Sequence, residues 1–199
     1  MKKLIAMTAF LALVGLEAIS QVPAGFQKAS ITLANNETLE GAIKDGGIAK
    51  GTVQFVAASG SKKNYSAAEL NALTVNGENY LALSNDFYKV LVNGKASLLQ
   101  KQSDNSGKMI FNGSEASVAT TTEGKVGEWY LLNAATGDLH LLGKKNFDTV
   151  LGNALSDCPA FLADLKAKTF AYDQLAQAIG KYNPSTTLVL VVMGLPSCP

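Results

Sequence analysis

The sequence predicts an α+β protein: a mainly antiparallel β meander closing as a barrel, roll or sandwich, then about three short helices and a final apolar strand-like tail. Three observations predict it. From about Ala29 to Leu142, short β-prone runs alternate with turn dipeptides, which is how one hairpin after another is written. At Lys144 the apolar period lengthens from two residues to three and four. Last, Leu188 to Met193 (LVLVVM) is an unbroken β-prone run, far too short to cross a bilayer.

The elements follow in chain order. Lys2 and Lys3 precede an apolar stretch, Leu4 to Leu16, and Ala18 and Ser20 supply small side chains where a signal peptidase needs them. Residues 1–20 are therefore expected to be a cleavable signal peptide, with the mature chain starting near Gln21. The apolar stretch is short for a membrane span, and Pro23 and Gly25 break any helix that continues it. The full chain has 17 Lys plus Arg against 16 acids; the leader holds two of the lysines and Glu17, so the mature chain is neutral. It has no arginine at all. Guanidinium groups grip phosphate in two places and read guanine edges, and nucleic-acid binders carry a basic patch. Nucleic acid is therefore not an expected partner, nor is a transmembrane span expected after cleavage.

Residues 26–143 read as the β-rich domain. Asn-Gly occurs at Asn76-Gly77, Asn93-Gly94 and Asn112-Gly113, a pair that suits the type I′ hairpin turn because both residues tolerate positive φ. Asn35-Asn36 and Thr136-Gly137-Asp138 separate strand-like runs in the same way. Gln102 to Gly127 is poorer in β signal, with Met109-Ile110-Phe111 and Ser117 to Thr121 its strand-like parts. Residues 144–183 read as helical. Phe147, Val150, Leu151, Ala154 and Leu155 share a helix face, Asp157 can cap a second helix with Pro159 in its first turn, and a third starts near Tyr172. Residues 184–199 form the tail. Exposed, its apolar run would invite aggregation, so burial is expected.

Chemistry-bearing residues are few. Cys158 and Cys198 are the two cysteines, and export makes an intramolecular disulfide between them the expectation. Two cysteines and one histidine complete no zinc set at a recognised spacing, so no metal or cofactor is expected. His140, the only histidine, alternates with Asp138, which puts both on one strand face as a weak candidate acid–base pair. No nucleophile elbow, phosphate loop, dinucleotide fingerprint or complete calcium loop accompanies them.

Several runs carry a resemblance. Ile31-Thr32-Leu33, Thr38 to Ile43, Lys63 to Leu70, Asn76 to Tyr80, Val90 to Leu99, Lys144 to Phe147, Asp157-Cys158-Pro159 and Lys181-Tyr182-Asn183 together resemble a group of exported, uncharacterised proteins common in Bacteroidota. The resemblance implies export and a β-rich fold with a helical end. It implies no activity and no functional residue. The expected localisation is periplasmic, outer-membrane-associated or extracellular. The leading functional expectation is a non-enzymatic binding, structural or accessory module whose partner is an envelope protein or surface ligand. Two alternatives stand beside it: a hydrolase whose carboxylates, or Asp138 and His140, assemble only in the fold, and a subunit that contacts a partner through the apolar tail.

Overall fold

The computed structural model describes residues 22–112 and 115–182 of the 199. The predicted leader, the Leu188–Met193 run and Cys198 lie outside the described residues. Twelve strands are described: β1 Phe26–Leu33, β2 Thr38–Lys44, β3 Thr52–Ala57, β4 Lys62–Ser66, β5 Leu70–Val75, β6 Glu78–Leu83, β7 Asp86–Val92, β8 Ala96–Lys101, β9 Met109–Asn112, β10 Glu115–Val118, β11 Trp129–Asn133 and β12 Leu139–Leu142. Helices α1 Phe147–Ala154, α2 Pro159–Lys166 and α3 Leu175–Tyr182 follow. Ten strands make one antiparallel sheet in the order β12-β11-β8-β7-β6-β5-β1-β2-β3-β4, and β9 and β10 form a separate two-stranded hairpin. This is the predicted α+β arrangement.

The turns show which residues set the register. Asn76 and Gly77 both take positive φ, 50° and 85°, as the type I′ reading requires. At Asn93-Gly94 only the glycine does; Ser97 Oγ instead accepts the Gly94 N–H at 3.1 Å and closes that turn. The third pair, Asn112-Gly113, runs out of the described residues, although β9 and β10 on either side of it do pair. Between β6 and β7 the turn residues are Ser84 and Asn85, at φ 46° and 65°, with no glycine. Gly41 serves another purpose. A Cβ there would lie 2.2 Å from the Val56 carbonyl oxygen, so β2 and β3 approach closely only because no side chain intervenes.

Alternation sorts the side chains into three buried clusters. One gathers Ile31, Val53, Phe55, Leu73 and Phe87 over the β1–β7 part of the sheet. A second, at the β8-β11-β12 end, packs Leu98, Leu131 and Leu142 under Leu151, Leu155, Phe161, Leu175 and Ile179 of the helices. A third centres on Tyr88, Leu99 and Tyr130, which share one face because Val90, Leu99, Tyr130 and Leu141 are in register across β7, β8, β11 and β12. Tyr88 and Tyr130 meet edge-to-face at 5.2 Å, a geometry that adds about 0.5–1.5 kcal/mol to their burial.

The helices differ from expectation in two details. Cys158, not Asp157, occupies the N-cap position of α2, and Pro159 is its first residue; Asp157 is instead paired with Lys95. Tyr172–Gln174 form a 3-10 turn before α3 begins, capped where the Ala171 N–H donates to Gln174 Oε1 at 3.0 Å. The α3 residues Leu175, Ala178, Ile179 and Tyr182 are buried at the spacing of one helix face. Among the described residues no helix is long and apolar enough to cross a membrane.

Candidate ligand-binding cleft

The segment that follows β8 is polar, yet it is anchored on a buried charge. Lys101, the last residue of β8, and Asp86, the first of β7, are 1% and 0% exposed, with Nζ 3.2 Å from Oδ2. The Lys101 ammonium also donates to the carbonyls of Thr122 at 3.0 Å and Gly124 at 3.2 Å. Asp86 Oδ1 accepts the Ser103 hydroxyl at 3.0 Å and the Asn105 N–H at 2.9 Å. Ser103 Oγ in turn accepts the Phe87 N–H at 2.9 Å. Among the described residues Asp86 Oδ2 has no aligned hydrogen-bond donor, so its contact with Lys101 is chiefly ionic. Two charges this deep cost several kcal/mol each to desolvate, and only each other and fixed dipoles offset that. The network therefore pins Lys101, Ser103 and Asn105 below the surface and straps residues 122–124 across the sheet. Tyr88 and Tyr130 add to the strap through hydroxyl contacts with Thr122 and the Glu123 carbonyl. Burial pushes the ionisation of both tyrosines upward.

Asn105 carries this order outward. Its Nδ2 donates to the Asn85 carbonyl at 2.6 Å and the Gly51 carbonyl at 3.4 Å, and its Oδ1 accepts Lys108 Nζ at 2.7 Å. Lys108 Nζ donates also to the Lys50 carbonyl at 3.2 Å. Gly51 must be glycine for two reasons: its φ is 72°, and a Cβ there would fall 2.1 Å from Asn105 Oδ1. Asn85 reaches the other way and donates to the Thr120 carbonyl at 2.9 Å. On the facing wall Glu69 accepts the Ser66 N–H and hydroxyl, each at 2.9 Å, in a capping box around the 3-10 turn Ala67–Glu69.

Between these walls lies a cleft of about 290 Å³, lined by Gly51, Thr52, Ser66–Glu69, Asn85, Asn105, Lys108 and Met109. Its polar groups come from four separated stretches of chain. An ammonium, a carboxylate and two carboxamides share the lining with Ala67 and Ala68, and each of the four is already fixed by a bond to the protein. Beside the network, Asp104 is held below the usual carboxylate range, first by the Ser106 hydroxyl and N–H and then by Lys101 and Lys108.

The residues singled out by sequence lie elsewhere. Asp138 and His140 line one groove of about 280 Å³, much the same size as the cleft, with Asn133, Val150, Asn153 and Ala154. Both are exposed, and no hydrogen bond joins their side chains. Cys158 is 1% exposed inside the helical cluster, and no cysteine among the described residues is free; its predicted partner, Cys198, lies outside them. Among the described residues no three His, Cys, Asp or Glu side chains gather as a metal site. Sequence reasoning missed Asp86, Lys101 and Asn105. Lys101 sits in Gln100-Lys101-Gln102, a run that reads as solvated, and nothing local betrays its burial.

These features define a β-sheet protein with a helical layer and a polar cleft fixed by an internal ion pair. No protein-family model, curated protein or solved structure matches the chain.

Proposed function

We propose that the protein is an exported cell-envelope binding module without catalytic activity, and that the cleft between Gly51, Glu69, Asn85 and Lys108 is where it takes its ligand. One observation carries the reading. Asn105, which lines the cleft and bonds Asn85, Lys108 and the Gly51 carbonyl, is fixed by the buried Asp86–Lys101–Ser103 network, while Ser66 holds Glu69. A site fixed in advance loses little conformational entropy on binding, so fixed donors and acceptors are what recognition needs. Glu69 and Lys108 are both engaged within the protein, which suits positioning a ligand better than exchanging protons with one. Export rests on the leader sequence, and the envelope supplies the ligand. A Cys158–Cys198 disulfide would tie the tail to the start of α2.

A hydrolytic reading has one geometric fact in its favour, the shared groove of Asp138 and His140. The residues lining that groove include no hydroxyl or thiol to act as nucleophile.

Two measurements on the native protein test the proposal. The protein isolated from cells should begin near Gln21 and fractionate with the envelope; a cytoplasmic chain that keeps residues 1–20 would contradict it. Immobilised mature protein should then retain an envelope component that the Glu69→Gln/Lys108→Met variant releases. The carboxamide oxygen that replaces the Glu69 carboxylate can still accept the Ser66 N–H, so this variant keeps its local fold. Equal retention by both proteins would place the binding surface elsewhere.

A further inference from the structure

Among the described residues four strands have a partner on one side only, β4, β12, β9 and β10, the last containing the charged residue Glu115, and they are not treated alike. β4 carries Lys62 and Lys63, exposed charges that repel an added strand. β12 is capped at its end, where Asn146 Nδ2 donates to the Leu141 carbonyl at 2.9 Å and the Tyr172 hydroxyl to the Leu142 carbonyl at 2.8 Å. β9, Met109 to Asn112, has no charged residue, and among the described residues it pairs with β10 alone.

The register of the hairpin decides what that edge offers. The Ala119 N–H donates to the Lys108 carbonyl at 2.8 Å, which makes Met109 and Val118 a non-hydrogen-bonded pair. The N–H and C=O of Met109 therefore point away from β10, off the free edge of β9. Met109 also lines the cleft. Beside this backbone lie two apolar side chains, Met109 at 56% and Val118 at 60% exposure, facing each other across the narrow pair. A two-stranded hairpin is marginal by itself and gains from a third strand.

We infer that the ligand is an extended, uncharged, β-prone peptide segment of another protein, which adds as a strand to β9 with an apolar side chain over Met109 and Val118. The inference rests on the cleft being the binding site and names what fills it. Backbone bonds to Met109 supply affinity, while the Asn85, Asn105 and Lys108 walls fix the neighbouring peptide groups. The absence of charge along β9 selects a neutral segment, since a charged side chain laid there would lose solvation without a partner.

The test uses a fluorescein-labelled neutral peptide of alternating threonine and valine and the full mature chain. Anisotropy should show saturable binding, weakened by about tenfold or more in Met109→Asp and in Val118→Asp. Both side chains are solvent-exposed, so thermal unfolding of these variants should match the parent, and a shared loss of fold is thereby recognised. Unchanged binding in both variants, or none by the parent, overturns the peptide inference. If an oligosaccharide panel then binds in a manner sensitive to Glu69→Gln/Lys108→Met, the cleft reading survives and only the peptide falls. Peptide binding that appears only in Val191→Asp would mean that the chain's own Leu188–Met193 run fills the edge, which also overturns a foreign partner.

Discussion

Lys101 and Asp86 show how much of this molecule depends on single residues invisible to pattern reading. Removing the cation by Lys101→Met leaves Asp86 buried beside an apolar chain, and the expected cost is about 3–5 kcal/mol. The combined Asp86→Asn/Lys101→Met variant should recover part of that loss, because no uncompensated charge stays inside. Urea denaturation of the two variants checks this; equal loss in both would show that the ion pair itself contributes little to the network. The tyrosines give a second handle. Burial, and then the hydrogen bond donated to Glu78, push Tyr80 up to about 12, and burial also raises Tyr88, Tyr130 and Tyr172. Above the ordinary value near 10 the unfolded chain has released these protons while the native protein still holds them. Stability from this source is thus complete below about pH 10 and lost as the pH climbs towards 12. Tyrosinate absorbance should rise late in the native protein, together with unfolding. A rise centred near 10 for all six tyrosines would contradict the burial described.

At the scale of elements, legibility followed local chemistry. Asn76-Gly77 announced its hairpin because both residues do take positive φ. The three helices were readable because apolar residues recur at helical spacing within each, Leu151 and Leu155 at the end of α1, Phe161 and Leu165 in α2, and Leu175 and Ile179 in α3, all in one cluster. β4 was not announced, since Lys62-Lys63-Asn64 has little β propensity and forms a strand only because β3 presents a partner edge. The pairing of β5 with β1 was hidden for a different reason. It is a long-range contact that no turn dipeptide encodes; Glu69, just before β5, lines the same cleft as Lys108. The cleft was illegible on the same grounds: its walls come from stretches far apart in the chain, and Asn105 joins them. The helical element carries a redox prediction of its own. If Cys158 and Cys198 are bridged, denatured and unreduced protein contains no reactive thiol, and reduction lowers stability by up to about 4 kcal/mol. Two reactive thiols per chain would end that proposal.

The molecule as a whole divides its work between a rigid sheet and a polar strap. The helices cover one face at the β8-β11-β12 end, and on the other face residues 119–124 run over Tyr88 and Tyr130, tied by Lys101. That strap joins the β9–β10 hairpin to the sheet, so the buried ion pair, the cleft and the exposed edge of β9 form one continuous structure. Loosening the ion pair should therefore weaken ligand binding at a distance as well as stability. The near balance of charge, 17 Lys plus Arg against 16 acids, and the lack of arginine remain consistent with a ligand recognised through backbone and amide groups rather than through phosphate. The most direct test of the central claim is a backbone amide shift map of the protein, recorded as neutral peptides and oligosaccharides are added in turn. The account predicts that the ligand that binds perturbs Gly51, Ser66–Glu69, Asn85 and Asn105–Met109 first, and that Glu69→Gln/Lys108→Met abolishes the pattern. Perturbations centred on Asp138, His140 and Asn153 instead would contradict it and move the site to the groove beside α1.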